Sequence, residues 1–294
     1  CERAGSLAVQ PLHQRFSQQG SLLSFVFPTQ PDSQLDQHFG VTVLVFHDFQ
    51  GGVDLPGTHL HGWQVTSRSN MPTTWNARTE YYHDAFDGWR WDVSTGIATR
   101  PAPQWQASVD PTFSRSVDAR QYVATRAGGR AETFGQRYIF AAVERSTLSA
   151  RFRVNYALTP NFTIEGYAEP FAASGRFAGF GEVPAPRSNV LRVYGDAGTG
   201  TTFEREADGT GTVTDGANQF VLPALDFRRL SFRSNLVLRW EWLPGSTAFF
   251  VWQQSRFGQV LDGELVRPQD LWNSVRADGD NFVVVKVSYW VGKR

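Results

Sequence analysis

The residues best equipped for chemistry in this 294-residue chain are the histidines of His59-Leu60-His61. Two imidazoles spaced by one residue share a face of a strand, and zinc is held by three or four such nitrogen or sulfur ligands. His47, Asp48 and Asp54 lie near in sequence, but none is spaced as a convincing third ligand. The expectation is solvated loop histidines and no metal site. Asp262-Gly263-Glu264 and Asp278-Gly279-Asp280 offer oxygen ligands without the spacing of an EF-hand, and they read as turns. Glu165 and Glu169 could suggest a glycosidase pair. Both occupy odd positions of one strand, about 13 Å apart by the strand rise, too far to flank one glycosidic bond.

No serine sits in a nucleophile-elbow pattern, no glycine-rich loop precedes a helix, and the only cysteine is Cys1. Acyl transfer, nucleotide binding and thiol catalysis therefore lack their parts, so the expectation is a non-catalytic protein without a cofactor. An internal disulfide is impossible with one cysteine. A mature bacterial lipoprotein begins at a cysteine that carries lipid on its thiol and amino group. Cys1 is accordingly the expected lipidation site, with residues 1–20 as a polar tether and 21–294 as a single β-barrel-like domain.

The charges balance at 28 basic and 28 acidic residues, so no basic field draws nucleic acid to the whole molecule. Only Lys286 and Lys293 among the basic residues are lysines. Aromatic residues make up 14% of the chain, including 10 Trp and 23 Phe, and that much ring surface must face something apolar. No run approaches the ~18 apolar residues of a membrane-spanning helix; if the chain crosses a bilayer, it does so as strands.

Period-two alternation marks the strands, because successive side chains point to opposite faces of a sheet. Along Thr147 to Tyr156, Leu148, Ala150, Phe152, Val154 and Tyr156 fall on one face and Thr147, Ser149, Arg151, Arg153 and Asn155 on the other. Leu230 to Trp242 and Trp89 to Thr99 sort in the same way. At ~3.3 Å per residue such strands are about 30 to 40 Å long. Arg100-Pro101-Ala102-Pro103, Thr159-Pro160-Asn161 and Pro244-Gly245 carry turn chemistry and predict hairpin links. Weaker strands are predicted at 22–27, 41–49, 63–68, 73–82, 121–126, 137–143, 190–194 and 282–291. The fold class is all-β: an antiparallel up-and-down sheet of about fourteen strands, closed or nearly closed into a barrel. Residues 195–216 read as a polar surface loop, and a short helix is predicted around Asp270-Leu271-Trp272.

Several stretches also resemble a known family: Arg100-Pro101-Ala102-Pro103-Gln104, Tyr167-Ala168-Glu169-Pro170-Phe171, Asp226 through Asn235, Leu238 through Ser246, and Lys286-Val287-Ser288-Tyr289-Trp290. In this order they resemble the C-terminal β-barrel region of a bacterial outer-membrane family of unknown function, usually preceded by a carbohydrate-binding-like β-sandwich. The resemblance spans roughly Trp89 to Trp290 and implies an antiparallel outer-membrane barrel, with no catalytic residues to carry over. This chain departs from that pattern in lacking the sandwich and in continuing past Trp290 to Lys293-Arg294.

Rings near strand ends, as with Trp75, Trp89, Trp91, Trp105, Tyr156, Trp240, Trp242 and Trp290, suit either a bilayer interface or a protein interface. The candidate interface or membrane-facing aromatics are Trp89, Trp91, Trp105, Trp240, Trp242 and Trp290. Two functional expectations follow. The first is a lipid-anchored, non-catalytic accessory or scaffold subunit of a bacterial membrane complex, respiratory or photosynthetic, with membrane lipid and other subunits as partners. The alternative is an outer-membrane pore or solute-binding barrel; both place the chain in the bacterial cell envelope.

Overall fold

The computed structural model of the chain describes residues 21–26, 41–47 and 59–291, with side chains described from residue 60 onward. Strands dominate it, and they follow the alternation of the sequence. In chain order β1 (Ser21–Val26), β2 (Val41–His47), β3 (His59–Ser67), β4 (Thr73–His83), β5 (Trp89–Thr99), β6 (Trp105–Ala127), β7 (Gln136–Thr159) and β8 (Phe162–Glu182) each pair antiparallel with the next. A long excursion then carries β9 (Arg192–Val193), β10 (Thr201–Arg205), β11 (Gly211–Asp215) and β12 (Asn218–Leu222). The meander resumes with β13 (Phe227–Leu243), which pairs with β8, followed by β14 (Ser246–Val260), the helix α1 (Pro268–Arg276) and β15 (Gly279–Ser288).

The main sheet thus runs β1 to β8, then β13, β14 and β15, with β9 as a stub on β8, while β10 to β12 form a separate three-stranded sheet. Fewer strands build the meander than the sequence predicts because bulges carry strands through residues that break the alternation. Register shifts at Asp118/Gln121 and Tyr122/Ala124 carry β6 through the predicted strand 121–126, and β7 spans 137–143 and 147–156 in unbroken register between Val143 and Ser149. Residues 195–216 are not the loop the sequence suggests, since β10 and β11 pair there as a hairpin. Among the described residues β1 and β15, the two ends of the order, do not pair, so the predicted closure is absent from the described pairings. An odd-numbered meander leaves both end strands running in one direction, which forbids antiparallel pairing between them.

Connections differ at the two ends of the sheet. Thr159 is followed by Pro160-Asn161 and β8, and Leu243 by Pro244-Gly245 and β14, two tight turns at what we term the lower end. Gly245 adopts φ +80, as such a turn requires. The upper end carries the excursion to β9–β12 and the α1 connection. At ~3.3 Å per residue the 24 residues of β7 stretch about 80 Å, well beyond the sheet that surrounds its lower half.

The hydrophobic core lies at this upper end. Ile139, Ala141, Phe180, Tyr194, Val213 and Leu222 are buried together, with Val123, Phe177, Phe203, Phe220 and Leu225 against them. One extra residue on β8, at Gly179 with φ +63, makes this possible: Ala142 pairs with Ala178 but Phe140 with Gly181. The bulge turns Phe180 to the side of Ile139 and Ala141, where the small sheet packs. Helix α1 starts at Pro268, and the Asp270 carboxylate accepts the Arg267 N–H at 2.8 Å.

Candidate functional site

Residues directly opposite in an antiparallel pair share a face, so the registers propagate one face across the whole meander. Trp75 lies opposite Ile97, and the row continues through Val109, Phe152, Ala168 and Ser234. This face collects Trp63, Trp91, Trp105, Val154, Leu236, Leu238, Trp240, Phe250, Trp252 and Val285 as well. It is apolar, and open to the outside. Trp91 is 45%, Trp240 52% and Val285 65% exposed, whereas the apolar patches of a water-soluble monomer rarely exceed a few hundred Å².

Aromatic rings bound the apolar stretch on both sides. The lower rim carries Trp75, Trp105, Tyr156, Phe162, Trp240 and Trp242, and the upper rim Tyr81, Trp89, Trp91, Phe113 and Trp252. Trp105 and Tyr156 touch across the β6–β7 pair with ring centroids 4.8 Å apart. Both rims slope across the sheet. The row of Trp75 on β4 meets β13 at Ser234, but the rim ring there is Trp240, six residues lower. Six residues rise about 20 Å over five strand spacings of about 24 Å, a slope of about 40°. The row of Trp91 on β5 meets β14 at Val260, whereas the rim ring is Trp252, eight residues lower. That slope is about 48° by the same spacings.

Between the rims no Asp, Glu, Lys or Arg occupies this face on β3 to β15. Arg115, Glu144, Arg176, Arg228 and Arg256 are its charges, all toward the upper end. Helix α1 lies over that charged margin. Val266 donates its N–H to Ser146 Oγ at 2.9 Å, Arg228 donates to Asp262 and Asp270, and Arg256 donates to the Ala277 carbonyl.

The opposite face is polar. Arg78, Glu80, Arg90, Asp92, Asp110, Arg151, Arg153, Glu165, Glu169, Arg233 and Arg239 alternate with the apolar set along β4 to β13. Ion pairs link Arg90 to Asp92 at 2.7 Å and Arg151 to Glu169 at 3.6 Å. Glu169 also accepts the Tyr167 hydroxyl. Glu165 and Glu169 share this face through their opposite residues Val237 and Arg233, in the arrangement too extended for a glycosidase pair.

At the top of the polar face lies a charge cluster that the sequence did not reveal. Arg137 donates to Glu182 at 3.0 Å and Asp215 at 2.7 Å. Arg192 donates to the same two carboxylates at 2.9 and 2.8 Å, and the Tyr194 hydroxyl donates to Glu182 at 3.1 Å. The cluster ties β7, β8, β9 and β11 together, and Arg137 and Glu182 are almost fully buried. Hydrogen bonds from Arg192 hold the Asp215 carboxyl at about 2, below its ordinary 3.8. Burial pushes the Tyr194 hydroxyl up. A depressed carboxyl stabilises the fold above its ordinary value, and that contribution is lost as pH falls from 3.8 toward 2. Only a spatial signal could have found this cluster, since Arg137, Glu182, Arg192 and Asp215 are spread over a long stretch of chain.

The sequence-predicted aromatics Trp89, Trp91, Trp105, Trp240 and Trp242 all stand on the apolar face. Trp290 follows β15, donates its N–H to Ser246 Oγ at 3.0 Å and lies against Gly245 at the lower end. Cys1, the tether 1–20 and Lys293-Arg294 lie outside the described residues. Asp262-Gly263-Glu264 is a turn, in which Asp262 accepts the Glu264 N–H and Gly263 takes φ +58. His61 of β3 and His83 of β4 stand with ring centroids 6.5 Å apart. No helix among the described residues is long and apolar enough to cross a membrane. Comparison with known proteins finds no family model, curated protein or solved structure that matches the chain.

Proposed function

We propose that this chain is a transmembrane β-barrel protein of the bacterial outer membrane, with the apolar face on lipid and the polar face lining a passage or binding chamber for a small polar solute. The observation that carries the reading is the pair of sloping aromatic rims. A barrel in a bilayer tilts its strands by about 35–45°, and its interfacial rings must then climb obliquely across the strand registers. A water-soluble sheet has no reason to keep two such rims parallel and a charge-free stretch between them. Leu148 to Tyr156 on β7 is about 20 Å high at a tilt of 40°, and Leu230 to Trp242 on β13 about 30 Å, bracketing the ~25 Å apolar band of outer-membrane barrels. From β3 onward the lower-end links are two to five residues long, while the upper end carries the β9–β12 excursion and the α1 connection, an asymmetry that suits the periplasmic and outer sides of such a barrel.

Closure belongs to this proposal. β1 and β15 run in the same direction, so one further strand between them completes an antiparallel circle of twelve, an even count as in bacterial single-chain barrels. A circle of that size tilted 40° has a backbone diameter of about 24 Å. Paired charges on the inner wall then suit a hydrated interior.

The lipid-anchored accessory reading rests on Cys1 and Lys293-Arg294, outside the described residues, whereas the rims favour a spanning barrel. Polarised infrared spectroscopy of the protein in oriented bilayers tests it. The expected amide signal corresponds to strands tilted about 40° from the bilayer normal. Strands lying in the membrane plane, or without orientation, would remove the basis of the reading.

A further inference from the structure

The polar face holds a cavity of about 170 Å³ at its lower end, set on β6, β7 and β8 and walled on one side by the β5–β6 turn. Two rows of side chains that share this face border it. One row is Gln106, Asn155 and Glu165, and the other is Gln104, Ala157 and Thr163. The residues between the rows, Trp105, Tyr156 and Ile164, send their side chains to the apolar face, so their backbone is the floor. Ala157 carries a single methyl where its neighbours carry longer chains, and the hollow lies over it. Thr99 stands opposite Ala107, which brings Arg100 level with Gln106 at the edge of the cavity.

Charges elsewhere on this face pair with one another, as Arg90 does with Asp92 and Arg151 with Glu169. Around the cavity they do not. Among the described residues Arg100 and Glu165 form no ion pair, and the carboxamides of Gln104, Gln106 and Asn155 have no hydrogen-bond partner. A guanidinium and a carboxylate thus stand at the two ends of one polar trough. Their backbones are three strand spacings apart, about 14 Å.

We propose that this cavity binds a short peptide with both termini free, its carboxylate on Arg100 and its ammonium group on Glu165. Two or three extended residues reach about 7 to 11 Å. An ion pair of about 2.8 Å at either end brings the span to about 13 to 16 Å, which brackets the separation of the two charges. Between its ends a peptide presents N–H and C=O groups, and a carboxamide both donates and accepts. Gln106 and Asn155 stand along that line. A single amino acid is too short to reach both charges, an anion leaves Glu165 without a partner, and a neutral sugar leaves both charges unpaired. As the solute of the chamber such a peptide rests on the spanning reading, while the site itself needs only one face of the sheet.

Isothermal titration calorimetry of the full chain in detergent with triglycine tests the site. One peptide per chain is expected. N-acetyl-triglycine and triglycine amide, each lacking one terminal charge, should bind at least tenfold more weakly, as should triglycine to Arg100→Gln and to Glu165→Gln. In Glu165→Gln the acetyl cap should cost nothing further, because both changes remove the same ion pair. Glu80→Gln, on the same face of β4, should bind as the wild type does, and circular dichroism confirms that each variant keeps its strands. No binding of triglycine, capped peptides that bind as well as the free one, or a neutral disaccharide that binds in their place overturns the proposal. Strand tilt, measured by infrared spectroscopy on the same preparation, separates the two readings: tilted strands without peptide binding sink this site alone, and binding without tilt sinks the barrel alone.

Discussion

Leu236→Arg is expected to destabilise the membrane-inserted protein by about 2–4 kcal/mol, whereas Val237→Arg, its chain neighbour, should change stability by less than about 1 kcal/mol. The two residues occupy the same depth of β13 and differ only in face. Leu236 lies opposite Gly166 and Trp252 on the apolar side, and Val237 opposite Glu165 and Val251 on the polar side. Leu236 lies on the charge-free stretch between Trp252 and Trp240, and an arginine there must either be buried in hydrocarbon or bend the bilayer to reach water. On the polar face it joins a wall that already holds Arg233 and Arg239 and finds Glu165 across the strand pair. Urea titration of both variants folded into phospholipid vesicles measures the difference. Equal effects would mean that both faces see the same solvent, which a spanning barrel does not allow.

Glu182→Leu is the second large effect, with an expected loss of about 3–5 kcal/mol confined to the upper end. Glu182 accepts from Arg137, Arg192 and Tyr194. Its removal leaves the buried Tyr194 hydroxyl without its acceptor, and Arg137 and Arg192 with Asp215 as their remaining carboxylate. The small sheet β10–β12 is the element with least else to hold it. Its contacts beyond the cluster include the core around Val213 and Leu222, the ion pair of Arg205 with Asp226 at 2.8 Å and the Arg205 bond to the Phe177 carbonyl at 2.9 Å. Amide hydrogen exchange should show residues 192–222 losing protection while β13 and β14 keep theirs. Wild-type protein should reproduce part of that pattern between pH 3.8 and about 2, as Asp215 becomes protonated. Uniform loss over the whole sheet would mean that the cluster does not act locally.

Much of the lower half of the fold was legible in the sequence because there the physics is local. Leu148 to Tyr156 alternates without interruption, and Thr159-Pro160-Asn161 and Pro244-Gly245 sit where their strands turn. Individual strands also showed an apolar side. What they could not show was the slope of the rims, which exists only once the registers fix how far Trp240 stands below the row of Trp75. The upper half was less legible for a different reason. Bulges at Asp118/Gln121 and Tyr122/Ala124 break the period of two on β6, and on β7 the apolar side changes from Ile139 and Ala141 to Leu148, Ala150 and Phe152, so the upper parts of both read as separate strands. Residues 195–216 are rich in Gly, Thr and Asp, and their hairpin is held by burial of Phe203 and Val213 against strands far away in sequence.

The central claim is that one face of the sheet lies against lipid, and a scan of single cysteines along β7 tests it most directly. In a Cys1→Ser background, positions 147 through 156 are replaced one at a time, spin-labelled and folded into vesicles. Labels at 148, 150, 152, 154 and 156 should collide with membrane-dissolved oxygen and be shielded from a water-soluble nickel chelate. Labels at 147, 149, 151, 153 and 155 should show the reverse. Chelate access to both series, or the absence of a two-residue period, would contradict the account.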